Sequence, residues 1–220
     1  MLDAVKKFTE AVSKQRFLFE ELVKRDFKKK YKRTILGMLW SLISPLMQLL
    51  VMAIVFTKFF ARDNPHYIIY LFAGNLTYSF FKDSTYGGMN ALMQNAGIIT
   101  KINLPKYMFL LSKNVASLIN FGLTLVIFFI FVAVDGVAFH FRFLMMIYPI
   151  LCLIIFNIGC GFILSALFVI FKDVQYLYDI FTLMLMYLSA IFYYTDDYSE
   201  KIQHLFYLNP LYVYITYIRH

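Results

Sequence analysis

The sequence predicts an all-α integral membrane protein, and three observations carry that prediction. Hydrophobic residues make up 61% of the 220 positions and charged residues only 15%. Apolar stretches of near-spanning length recur along the chain, and the densest basic segment lies directly before the first of them. A soluble domain of this size cannot hide so much apolar surface from water. More than half of the 21 Lys and Arg lie before residue 36. On so oily a chain, that concentration reads as membrane orientation and attraction to lipid headgroups. No DNA- or RNA-binding motif accompanies it, so nucleic acid is not an expected partner.

The first expected element is a helix from Arg16 to Ile35. Phe19, Val23, Phe27 and Tyr31 form an i,i+4 row that Leu22 and Ile35 widen. Lys24, Lys28 and Lys32 form a second row, and Arg25, Lys29 and Arg33 a third, with Asp26 between them. An apolar face backed by a basic one describes an amphipathic helix lying in the membrane interface. Residues 1–36 thus read as a cytoplasmic N-terminal segment and residues 37–220 as a transmembrane domain. Trp40 marks the depth where the chain enters the bilayer, and Pro45, one turn further on, is placed to kink the first span.

A spanning helix needs about 20 mostly apolar residues. Five candidates follow: Gly37 to Phe60, Tyr67 to Tyr86, Tyr107 to Val134, Phe143 to Phe171, and Tyr176 to Tyr194. The second is weaker, because it holds Asn75, Lys82 and Asp83. Between the second and third, "GGMNALMQNAGIITKINLPK" is too polar and Gly-rich to span. It suits a short surface helix or loop, with Pro105 opening the next helix. The stretch after Tyr194 reads as interfacial or partly re-entrant. "NIGCGFILSA" offers Gly159, Gly161 and Ser165 for close helix packing.

Loop charges set the orientation. With the N-terminus cytoplasmic, Lys82, Lys101, Lys106, Lys113 and Lys172 fall on the inside with the basic opening segment. Lys58, Arg62, Arg142, Lys201 and Arg219 remain for the outside, together with His66, His140, His204 and His220. Five spans leave the C-terminal part outside, so a sixth is expected in the full-length protein. Cys152 and Cys160 lie in one apolar run and read as packing thiols, and the histidines have no metal-ligand spacing. No catalytic constellation is visible. Asp196 and Asp197 are an acidic doublet beside Tyr193 and Tyr194 that suits a solvated loop. The ionisable groups lie near span ends, which argues against an ion-driven carrier with a charged midplane site.

"LVKRDFKKKYKRTILGMLWSLISPLMQLLVM" resembles the opening of ABC-2-type permeases that export polysaccharides such as O-antigen, capsular polymer and teichoic acid. The resemblance continues at "KINLPKYMFLL", "FKDVQYL" and "LNPLYVYITYIR". It departs at Leu104, where the family often has Phe, and at Lys172, where it has Arg. It implies a homodimeric permease in the bacterial inner membrane, moving a lipid-linked or free polysaccharide with separate ATPase subunits. ATP and Mg would belong to the ATPase, because this chain carries no phosphate-binding GxxxxGK[ST] loop; the chain itself is not expected to be an enzyme. It also implies roles. Phe19, Leu22, Val23, Lys24, Arg25, Asp26, Phe27, Lys28 and Tyr31 would form a gate helix. Lys101, Pro105 and Lys106 would belong to a coupling loop, and Lys172 and Asp173 to a second cytoplasmic motif. Trp40, Tyr187, Phe192, Tyr193 and Tyr194 are candidate polymer-path aromatics. The alternatives are an ABC-2 exporter of a small molecule or lipid, and an integral-membrane acyl- or glycosyltransferase.

Overall fold

The computed structural model describes residues 16–29, 35–60, 64–101, 104–137, 141–196 and 198–219. Among these, every regular element is helical. Helix α1 covers residues 16–29. A short 3-10 turn, Gly37–Leu39, leads into α2 (Trp40–Phe60). Then come α3 (Tyr67–Gln94), α4 (Ala96–Ile99) and α5 (Lys106–Val134). A second 3-10 turn, Phe141–Met146, precedes α6 (Ile147–Ile170). The chain ends in α7 (Val174–Leu188), α8 (Glu200–Tyr207) and α9 (Pro210–Arg219). Gly37 has φ +52°, a left-handed conformation suited to the turn into α2. Helix α2 runs through Pro45 without a break.

Helix α3 is the centre, packed against α2, α5, α6 and α9. Its sequence explains why. Asn75, Thr77, Ser84, Thr85 and Asn90 are all buried on it, and lipid could satisfy none of them. Thr77 and Thr85 donate to carbonyls one turn back, those of Ala73 and Phe81, at 2.8 and 2.6 Å. The Ser84 hydroxyl donates to Asn114 of α5. From α7, Tyr178 donates to the Thr85 hydroxyl, and Gln175 donates to the Tyr86 hydroxyl at 2.9 Å. Tyr78 donates in the other direction, to the Thr182 carbonyl at 2.9 Å.

The face that α6 buries repeats at helical spacing: Leu153, Asn157, Gly161, Ser165 and Phe168. Gly161 meets Gly88 of α3 so closely that a Cβ on Gly88 would lie 2.9 Å from the Gly161 Cα. Two of the three small residues expected to bring helices together, Gly161 and Ser165, are buried. Gly159 is not part of that contact; a Cβ there would meet open space, because two residues on a helix turn the side chain well off the buried stripe.

Among the described residues, three helices have the length and apolar composition to cross a membrane: Gly37–Lys58, Lys106–Val134 and Phe143–Ile170. These correspond to the first, third and fourth of the five expected spans; the second and fifth do not reach that standard. Helix α3 has the length, at 28 residues, but its polar residues are housed by protein rather than diluted by apolar ones. Helix α7 has 15 residues, about 22 Å at 1.5 Å per residue. It stops at Leu188, where a helix to Tyr194 was expected. Beyond it the backbone turns at Ala190, with φ +49°.

The glycine contact yields a test. Gly88→Ala should force α3 and α6 apart and lower stability by about 1–3 kcal/mol, as overpacking does, whereas Gly159→Ala should be neutral. Thermal unfolding of the purified variants would check both. Equal melting curves for Gly88→Ala and the parent would show that the close crossing carries no weight.

Candidate functional site

Helix α1 is held by a buried charge. Leu22 and Val23 are buried on it as the amphipathic pattern requires, but so is Asp26, whose side chain is 1% exposed. Its carboxylate takes hydrogen bonds from Arg25 at 2.7 and 3.1 Å and from the Ser112 hydroxyl of α5 at 2.9 Å. The Lys113 ammonium lies 3.3 Å away and also reaches Gln94 of α3 at 3.3 Å. Two cations and a hydroxyl compensate a carboxylate that would be very costly alone. Arg25 is therefore turned to Asp26, not free for headgroups. Lys24 is exposed and pairs with Glu21 at 2.8 Å, a surface contact of small worth. Phe19 and Phe27 are half-buried and Lys28 is exposed. Tyr31, with Lys32 and Arg33, lies outside the described residues.

The segment after α3 forms the one-turn helix α4 and then the turn at Thr100 and Lys101. Pro105 caps α5 with φ −58° and ψ 127°, and its carbonyl accepts the Met108 N–H at 3.1 Å. Lys101 and Lys106 are exposed. Lys172 and Asp173 form the exposed turn between α6 and α7, where Asp173 precedes the first helical residue.

The chain from Ser189 to Phe192 is non-helical yet buried. Irregular backbone of this kind needs protein partners for its polar groups, and it has them. Arg219, at the end of α9, donates to the carbonyls of Ala190 at 3.0 Å, Ile191 at 2.9 Å and Tyr70 at 3.2 Å. Its guanidinium carbon lies 3.4 Å from the Tyr70 ring centre. Tyr67 donates to the Phe192 carbonyl, and Tyr70 to that of Tyr193 at 2.8 Å. Asn209 donates to the Leu188 carbonyl at 3.2 Å while its own oxygen accepts the Leu211 N–H at 3.0 Å, capping α9 ahead of Pro210. Arg219, counted from sequence as a loop charge, is thus an internal clamp.

The candidate aromatics fall in two places. Phe192 is buried and stacks on Phe56, with ring centres 4.4 Å apart. Tyr194 is half-buried, 4.6 Å from Tyr70. Tyr193 donates to the Tyr187 carbonyl at 2.7 Å, and Tyr187 is exposed. Trp40 lies apart from all of them. It lines a cleft of about 490 Å³ between α2, α3 and α5, together with Ser44 and Gln48, Asn75 and Ser79, and Ser117 and Asn120. Asp83 and Ser117 also line a second, charged cleft of about 590 Å³ beneath α1, which includes Asp26, Lys29, Lys82 and Lys113. Among the described residues, no cluster of three or more His, Cys, Asp or Glu could hold a metal ion.

A family model described as "ABC-2 type transporter" matches residues 18–220. The chain belongs to the ABC-2 type transporter family. Curated relatives agree. An O-antigen export system permease protein, RfbA, from Myxococcus xanthus is 29% identical over 166 residues, which is 74% of this chain and 62% of that protein. The chain's match therefore spans less than two thirds of that relative's length. A protein of the same name from Klebsiella pneumoniae is 27% identical over 200 residues, 89% of this chain and 77% of that one.

Within this ABC-2 chain, the motif residues acquire physical tasks. Asp26 of "VKRDF" fixes α1 to α5, and Asn209 and Arg219 of "LNPLYVYITYIR" hold the break after α7. Sequence reasoning missed Ser112 and Lys113 as partners of α1, and Gln94 as a partner of Lys113, although a lysine and an adjacent serine inside an apolar helix are a readable signal.

A double-mutant cycle tests the α1 attachment. Asp26→Ala should destabilise the protein by leaving Lys113 unpaired, and Lys113→Met should do the same to Asp26. The pair should be coupled by about 0.5–3 kcal/mol, measured by thermal unfolding in lipid nanodiscs. Strictly additive effects would remove this pair as the attachment of α1.

Proposed function

We propose that this chain is the permease subunit of an ATP-driven exporter that moves a polysaccharide, lipid-linked in the cytoplasmic leaflet, across the bacterial inner membrane. The observation that carries the reading is the similarity to O-antigen export permeases over most of the chain. Three apolar helices around a polar central one provide a frame for such a path. On this reading α3 and α7 complete a set of five spans, with residues 1–36 forming the cytoplasmic segment and residues 37–220 the membrane domain.

In the proposed arrangement α1 is the gate helix, and the segment from Asn95 to Lys106 transmits the movement of a separate ATPase that holds ATP and Mg. Two placements support a cytoplasmic α1. The Asp26–Lys113 pair lies at the start of α5, while His66 at the start of α3 contacts Asp135 at the far end of α5. Basic α1 and outward His66 therefore belong to opposite faces, as the positive-inside rule requires. The permease acts as a homodimer; α7 offers exposed apolar surface for it through Leu177, Ile180, Phe181 and Met184.

Deleting the gene should trap polymer inside the cell, and the full chain should restore it to the surface. Normal surface polymer in the deletion strain would overturn the exporter reading. Substituting Phe27→Ala with Tyr31→Ala removes apolar contact worth about 1.5–3 kcal/mol per fully buried side chain, less for half-buried Phe27. The complex with the ATPase should still assemble, export should fail, and ATP hydrolysis should be uncoupled or lost. Normal export at matched protein level would reduce α1 to an anchor.

A further inference from the structure

We propose that the cleft between α2, α3 and α5 is a sugar-contact site within each protomer, taking neutral, hydroxyl-rich rings. The inference rests on the polysaccharide reading and adds to it where the cargo touches this chain.

Three helices each turn a polar row into the same space. Ser44 and Gln48 are one turn apart on α2, Asn75 and Ser79 one turn apart on α3, and Ser117 and Asn120 three apart on α5. Polar side chains on apolar helices commonly serve as glue between them. That role does not account for this set. Ser44 and Gln48 remain exposed. Asn75 is 3% exposed, lines the cleft, and its side-chain oxygen finds no hydrogen-bond partner among the described residues. A buried amide oxygen left unpaired is costly, and its residue lines a volume of about 490 Å³, within the range of about 300–1,000 Å³ seen for small-molecule sites.

The wall chemistry selects the ligand. Hydroxyls and amides both donate and accept, as sugar hydroxyls do. Trp40, which is exposed, supplies aromatic surface on which the C–H face of a ring can pack. A lipid tail would leave the amides unpaired. The charged cleft beneath α1 adjoins through Asp83 and Ser117. A chain entering from the α1 end would therefore pass from a charged vestibule to a neutral one.

The test uses the full chain with its ATPase in cells making their own polymer. A p-benzoylphenylalanine photo-crosslinker replaces Ser44, which is exposed and tolerant of size. Matched strains carry it in place of Tyr187, near the other aromatic group, or of Ile155, on the exposed side of α6. After irradiation, the permease is purified and adducts are detected by periodate oxidation of vicinal diols. Adducts at position 44 and none at 155 are the expected result. Adducts at 187 without any at 44 would overturn the site while leaving the exporter reading intact. So would the absence of adducts at every position in a strain whose surface polymer still requires the chain. Whether it does is read separately from the deletion strain. In parallel, Gln48→Leu and Asn75→Leu should each lower surface polymer about tenfold, the scale of a lost buried polar contact, with the ATPase still co-purifying. Gln48 is exposed, so its variant reports on contact rather than folding. Unchanged export in Gln48→Leu would also overturn the proposal.

Discussion

Lipid cannot hydrogen-bond, and most of this structure follows from that limit. Helix α3 carries five buried polar side chains among its core positions, so it cannot stand at the periphery. It must be enclosed, and α2, α5, α6 and α9 enclose it. Enclosure in turn demands close approach, which the Gly88–Gly161 contact permits. The more apolar helices take the outside, where Val126, Ile130, Ile155 and Ile163 are exposed. A hydropathy scan ranks the helices by their fitness for lipid; the packing ranks α3 by what it cannot give to lipid. The two rankings differ because a helix surrounded by protein needs partners more than it needs apolar side chains.

Asp26 is the same limit applied to a charge. Its carboxylate is almost wholly out of water and is compensated by Arg25, Ser112 and Lys113. Removing one partner leaves the others buried and unbalanced, which is why such clusters act together. The cluster ties α1 to α5 at the edge of the charged cleft. A displacement of α1 therefore reaches the residues that line that cleft, Lys113 among them.

Much of this was legible in the sequence. Period and hydropathy located α2, α5 and α6 to within a few residues, because those helices are apolar enough to be read singly. The break after Leu188 was not, since "LSAIFYYT" looks like the end of a span; what ends the helix is Arg219, thirty-one residues later, with Tyr67 and Tyr70 from another helix. Local pattern has no access to a partner supplied at that distance. The opening helix was read as apolar on one face and basic on the other, which hid Asp26 on the inner face and Arg25 turned to meet it. The polar rows behind the cleft were each present in the sequence, yet only packing shows that Ser44, Asn75 and Ser117 face one another.

The two ends of the bundle are held by unlike means, and the difference decides where it can give. At the His66 end, Arg219 and the two tyrosines satisfy carbonyls of a buried, irregular backbone. Separating them would leave several such groups without partners at about 1–3 kcal/mol each. At the α1 end, the hold is one buried cluster in which Asp26 takes bonds from Arg25 and Ser112 and faces Lys113. Parting it is costly while the carboxylate stays out of water, and the cleft of about 590 Å³ that Asp26 and Lys113 both line is where water would have to enter. Motion at the α1 end is therefore gated by access of water to Asp26. The neutral cleft, with Trp40 on its wall, adjoins that end rather than the clamped one.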